Sequence, residues 1–241
     1  MREEMMAAVV QSAKPLIDPF DGIGPAVQAR RWVLPALALC LSVSFSGASF
    51  ASRWDAAPMV MQQLEKAGEL QKVTEQELSD KIQTTRRLRL VGGVAKGVFL
   101  APIALLLIAL ALQLSAWMFG QRTGFSRFFS VACLSLLPVA LFHVLFAVCA
   151  LRQFSISDRQ YPLILPSSLA AVFPNVSPPL QGLLSGVDLF NLWSAVLLGL
   201  GFSAASGMKR GKAVLLGLGL YAAYVGVFLV GIPGLMAGRG A

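Results

Sequence analysis

Apolar residues in this chain gather into blocks of about twenty, and polar ones collect in the gaps between them. A helix rises ~1.5 Å per residue, so a block of that length crosses a hydrocarbon core ~30 Å thick. The pattern predicts five spans, at about 32–51, 97–119, 129–151, 187–206 and 213–235. The expected fold class is all-α, a polytopic membrane protein with five transmembrane helices. Pro138 falls inside the third span, where neighbouring helices can satisfy the carbonyl it frees.

The segments between the blocks carry their own signals. In residues 1–31, Asp18 followed by Pro19 reads as an N-cap and first helical residue. Phe20, Ile23 and Val27 then recur at helical spacing, which predicts a short amphipathic helix lying at the membrane interface, with an irregular linker as the alternative. Arg2, Glu3 and Glu4 are unlike the basic start of a signal peptide, and the Ser49-Phe50-Ala51 run is read as part of an uncleaved anchor.

Residues 52–94 are the one long hydrophilic stretch, with acids and bases nearly balanced. Thr74 and Glu77 have capping-box spacing, so a helical hairpin is expected, its first arm from Ala57 to Lys72 and its second from Glu75 toward the second span. Gly92 and Gly93 mark a point where the second arm could kink. Residues 152–186 are punctuated by Pro162, Pro166, Pro174, Pro178 and Pro179 and read as a connection, with Ser167 capping one helical turn through Phe173. The expected divisions are 1–31, 32–51, 52–94 and a four-helix remainder at 95–236.

Composition agrees with a bilayer as solvent, since 56% of residues are hydrophobic and only 13% are charged. The net charge of +8 does not form a basic stripe with interleaved aromatics, which argues against nucleic-acid binding. Lys and Arg sit near span ends instead, where they set topology and meet anionic lipid. Arg122 and Arg127 flank one short loop and Lys209, Arg210 and Lys212 form another, which places the amino terminus inside and the hairpin and carboxyl terminus outside. Usage rich in Ala, Gly, Leu and Arg suggests a bacterial cytoplasmic membrane.

Candidate chemistry is sparse. Cys40, Cys133 and Cys149 lie inside apolar blocks without metal-ligand spacing. His143 is the only histidine and lies mid-span, so a neutral imidazole bonded between helices is expected over a hydrolase base. Asp188 opens the fourth span, where an N-cap facing the helix dipole is expected. Asn191 and Trp193, within one and a half turns, are candidates for packing against a neighbouring span. Arg86, Arg87 and Arg89 are candidate contacts on the second arm. Gly182 with Gly186, Gly199 with Ser203, and Gly234 with Gly238 have the spacing that lets membrane helices approach closely. No cofactor or metal is expected.

Several of these residues also resemble the Yip family, the Ypt-interacting membrane proteins, in the form of its bacterial members. They are Leu16-Ile17-Asp18-Pro19-Phe20, Trp32 with Pro35, Trp117 with Phe119 and Gly120, Phe125-Ser126, Leu137-Pro138, and Asp188-Leu189-Phe190-Asn191-Leu192-Trp193 followed by Gly199 and Gly201. The resemblance implies a five-span helical protein with a cytosolic amino terminus and a scaffolding role rather than catalysis. Its bacterial form implies an ABC-type exporter of the macrolide-efflux kind as the associated complex. Eukaryotic relatives bind small GTPases through a long amino-terminal region bearing Asp-Leu-Tyr-Gly-Pro; here that region is short and lacks the motif, so GTPase binding is not expected. An intramembrane serine hydrolase and a small channel or carrier are the alternatives.

Overall fold

The computed structural model describes residues 10, 14–69, 71–173 and 176–231. The first nine residues, Leu70 of the first arm, Pro174 and the end of the fifth span with Gly234 and Gly238 lie outside the described residues. Five helical segments are long and apolar enough to cross a membrane: Val33–Arg53, Glu75–Met118, Phe125–Arg152, Leu189–Ser206 and Arg210–Gly231. Among the described residues there is no strand, only two isolated bridges, Trp54 with Ile156 and Ser168 with Asp188.

Helix α1, Pro19–Gln28, begins as expected, with Asp18 accepting from the Asp21 N–H at 3.3 Å. Of its apolar face, Phe20 is exposed, whereas the other two residues turn inward. Ile23 and Val27 are buried in a cluster with Leu112, Phe128, Leu197 and Phe202, so α1 closes one end of the bundle. The turn after it resembles a Schellman end, with the Arg31 N–H reaching the Ala26 carbonyl at 3.1 Å and Arg30 left-handed at φ 51°.

Helix α2, Val33–Arg53, is the first span. Helix α3, Ala57–Lys66, is the first hairpin arm and stops short of the expected Lys72. Gly68, at φ 68°, ends it: the Gly68 N–H bonds Glu65 at 3.0 Å and the Glu69 N–H bonds Leu64 at 2.9 Å, a Schellman motif that needs the left-handed residue. Helix α4, Glu75–Ala95, opens on the capping box. The Glu77 carboxylate accepts from the Thr74 N–H at 2.9 Å and the Glu77 N–H donates to Thr74 Oγ1 at 3.3 Å. These bonds hold the Glu77 carboxyl below the usual carboxylate range.

Gly92 and Gly93 do not interrupt the helix. The helix runs on through a π-helical segment, Lys96–Leu100, into α5, Ala101–Met118. Pro102 supplies the physical reason: without an N–H it cannot bond the Val98 carbonyl, and the Ala101 N–H reaches back five residues to Lys96.

The third span is α6, Phe125–Ser135, and α7, Leu137–Arg152, broken at Leu136 just ahead of Pro138. The connection after it holds more helix than its prolines suggested. A 3-10 turn spans Asp158–Leu163, α8 is Leu169–Val172 with Ser168 rather than Ser167 at its N-cap position, and α9 is Pro178–Gly186. Pro178 and Pro179 act as starters at the first helical positions instead of breakers.

The fourth and fifth spans are α10, Leu189–Ser206, and α11, Arg210–Tyr224, which continues as a π-helical segment, Val225–Gly231. Gly207, at φ 78°, makes the turn between them. Glycines set the close crossing of α10 and α11: a Cβ on Gly199 would stand 2.4 Å from Val214 Cα, and one on Gly217 2.4 Å from the Ala195 carbonyl oxygen. Ser203, expected at that crossing with Gly199, instead donates to the Met208 carbonyl in the turn at 2.6 Å.

Burial follows the bundle axis. Beyond the α1 cluster lies a middle layer of Leu39, Leu105, Ala109 and Ala132, then an aromatic layer of Phe50, Trp54 and Phe146, with Ile156 beside them, at the hairpin end.

Candidate functional site

The hairpin end is built on the uninterrupted helix that starts at Thr74. Because α4 continues into the second span, its side chains hold fixed register against α2. Arg86 and Arg89, three residues apart, share a face. Arg86 Nε donates to the Ala51 carbonyl at 3.4 Å and its Nη2 donates to the Ser52 carbonyl. Both acceptors belong to the last turn of α2, where a cation meets the negative end of the helix dipole.

Arg89 stacks over aromatic faces, with Cζ 4.0 Å from the Trp54 ring centroid and 5.0 Å from that of Phe50. Trp54 is fixed beneath it by the bridge to Ile156, in which the Asp55 N–H reaches the Ile156 carbonyl at 3.0 Å and the Ile156 N–H reaches Arg53 at 2.8 Å. Tyr161 packs edge-on against Phe50 at 5.1 Å. Arg87 points elsewhere: it is exposed and has no ion pair among the described residues.

His143 belongs to the same end. Its Nδ1 lies 2.8 Å from Ser46 Oγ, joining α7 to α2. Ser46 Oγ also lies 3.0 Å from the Val43 carbonyl oxygen. In the Nδ1–H tautomer the imidazole donates to Ser46, whose proton goes to Val43; in the Nε2–H tautomer Ser46 donates to Nδ1. The pair is an interhelical hydrogen bond of the kind expected from sequence.

Arg89 and His143, far apart in sequence, line one cavity of about 470 Å³ between α2, α4 and α7. Lys96, Ser46, Phe50, Phe146 and Tyr161 complete much of its wall. Lys96 and Trp54 escaped the sequence reading, although Arg89, Gly93 and Lys96 repeat at i, i+4 and i+7, a stripe on one helix face. A Trp directly after a span is likewise an interfacial signal. Ser46 carries no such signal, because its role depends on α7.

Asp188 stands apart from this cavity and is buried. Its carboxylate caps α10, with Oδ1 accepting from the Asn191 N–H at 3.0 Å and from Asn191 Nδ2 at 3.1 Å. Ser167 Oγ donates to Oδ2, which explains why Ser167 does not cap α8. Backbone bonds from Leu189 to Ser167 and from Leu169 to Val187, each 3.1 Å, clamp the turn before α8 to the head of α10. Asn191 is thus engaged within its own turn, and Trp193 packs against the α1-end cluster. Phe190, between them, meets Phe142 at 5.6 Å and ties this cap to the aromatic layer.

Of the seven sequence candidates, the structure brings Arg86, Arg89 and His143 to one region and Asp188 and Asn191 to another. Arg87 remains on the outer face of α4. Among the described residues no cluster of His, Cys, Asp or Glu could hold a metal ion.

The family model of the Yip1 domain matches residues 15–232 of the chain. No curated protein and no solved structure matches it.

Proposed function

Because the chain belongs to the Yip1 domain family, whose members are generally non-enzymatic membrane proteins, we propose that it is an accessory subunit that docks another membrane complex through its hairpin. The observation that carries this reading is α4. Over Glu75–Ala95 it has no buried residue, although it continues without a break into a span.

Between Glu75 and Arg86, which reaches the end of α2, the helix rises about 16 Å beyond that level. A segment of this length is kept helical by propagation from the span rather than by packing of its own. The two arms touch little: Val60 and Leu64 are buried on α3, one ion pair joins Lys81 to Glu69 at 3.9 Å, and a cleft of about 480 Å³ lies between the arms. Such an arm presents a preformed surface, at low ordering cost, to a partner.

The partner class in this reading is an ABC-type exporter in a bacterial cytoplasmic membrane. The amino terminus is inside and the hairpin outside, as the Lys and Arg at the α1 end favour. Purification from native membranes in mild detergent tests it. The wild-type chain is expected to retain a stoichiometric complex that hydrolyses ATP. The double variant Arg87→Glu, Leu88→Asp, altered only at exposed positions, is expected to lose most of it. A chain that purifies alone in both forms overturns the reading.

A further inference from the structure

The connection after the third span turns back into the membrane before α10 begins. Arg53, Arg86 and Arg152 mark the membrane surface at the hairpin end: Arg53 and Arg152 close α2 and α7, and Arg86 reaches the last turn of α2. Ser46, bonded to His143, lies about 10 Å inside the end of α2. Phe142, next to His143, meets Phe190 at 5.6 Å, so the head of α10 starts near that depth. Tyr161 is already below the surface, its ring 5.1 Å from those of both Phe50 and Phe146.

The other end of the connection rests on the fifth span. Tyr221 donates to the Gly186 carbonyl at 2.6 Å, and a Cβ on Gly186 would stand 2.7 Å from Val225 Cγ1. Tyr221 lies about 16 Å along that span from Arg210, near its middle, so α9 is seated against the flank of a membrane helix. Backbone at such depth must find its hydrogen-bond partners within the protein. Helices α8 and α9 supply many of them, and the bonds of Leu169 to Val187 and of Leu189 to Ser167 supply more.

The surface of this segment matches its depth. Residues 160–187 carry no Asp, Glu, Lys or Arg. Leu163, Val172, Phe173, Leu180 and Leu183 are exposed, Val172 at 65%. On the adjoining span Tyr224, Val227 and Phe228 are exposed as well, so the apolar surface of the connection runs on into the lipid-facing surface of the bundle. Among the described residues the exposed amides of the segment are Gln160 and Gln181, uncharged groups that suit the head-group level. Acyl chains at the same depth remove this surface from water, a gain of ~25 cal/mol for each Å² of apolar area.

We propose that α8 and α9 form an apron inserted in the hairpin-side leaflet, with Val172, Phe173, Leu180 and Leu183 against lipid acyl chains. An interfacial element buries its apolar face about 5–10 Å deep, which is the depth at which α10 opens. Insertion completes the crossing of the fourth span, whose helix of 18 residues is only about 27 Å long. It also keeps water from the Asp188 carboxylate that caps that helix. The insertion does not depend on what the hairpin binds.

The test places one fluorescent amino acid in the full chain, in phosphatidylcholine liposomes, at Val172 on α8 or Leu180 on α9. Exposed Leu107 in a span and exposed Ser79 on the hairpin are the reference positions. Lipid brominated in mid-chain quenches from the acyl region, and iodide on both sides of the bilayer quenches from water. The Val172 and Leu180 probes are expected to be quenched by brominated lipid to within about twofold of the Leu107 probe and to resist iodide, while the Ser79 probe does the reverse. Quenching of either apron probe by iodide and not by brominated lipid overturns the proposal. Shielding from both quenchers overturns it too, since protein, from this chain or a second copy, then covers the face. The two probes replace exposed side chains on separate helices, so the result stays readable should one variant unfold.

Discussion

Gly93→Ala destabilises the protein by about 2–3 kcal/mol, while Gly92→Ala, one residue away, stabilises it by up to ~1 kcal/mol. The opposite signs follow from what a methyl group meets. At Gly92 it enters open space, so only the better helix propensity of alanine is felt. At Gly93 it would lie 2.8 Å from the Gly47 carbonyl, and a Cβ on Gly47 would in turn lie 2.6 Å from the Gly93 carbonyl oxygen. Neither neighbour is a flexible side-chain tip, so α2 and α4 must move apart. That separation also draws Arg86 away from the last turn of α2 and Arg89 from Trp54. Thermal unfolding of the purified variants in one detergent reads the difference directly.

Asp188→Ala is expected to cost about 3 kcal/mol, and Asp188→Asn about 1 kcal/mol. The alanine variant strands the Ser167 hydroxyl and the Asn191 N–H groups, all of which now share one carboxylate. It also removes the negative charge at the positive end of the α10 dipole. Asparagine keeps one acceptor oxygen for the helix N–H and loses the charge. Because the same carboxylate clamps the turn before α8 to α10, the loss extends to the connection at 164–189 as well as to the cap. The same unfolding measurement, compared across the two variants, separates the charge from the lost acceptors.

Local signals carried most of the architecture. Five apolar blocks, Asp18 with Pro19, Thr74 with Glu77, and Asp188 ahead of a span each encode their structure within a few residues. Where reading failed, two local signals conflicted or the partner lay far away. Pro178 and Pro179 belong equally to a breaker and a helix start, and here they stand at the start of α9. Gly68 after Lys66 and Ala67 is a legible end for α3, but the charged pattern continues past it to Lys72. The spacing of small residues named Gly199 but not its true counterpart Gly217, which comes from the next helix. Gly47 meeting Gly93, Ser46 meeting His143, and Trp54 beneath Arg89 are tertiary facts that no periodicity encodes. The cavity was invisible for the same reason: its walls come from three spans.

The central claim is that the outer face of α4 is a docking surface. Site-specific photo-crosslinking in native membranes tests it most directly, with the probe at Leu88, 68% exposed on the hairpin helix, and a control probe at Leu107, 60% exposed in the span below. The account predicts one discrete protein adduct from Leu88, containing a subunit of an ATP-hydrolysing transporter, and lipid adducts alone from Leu107. Lipid adducts alone from both positions would contradict it.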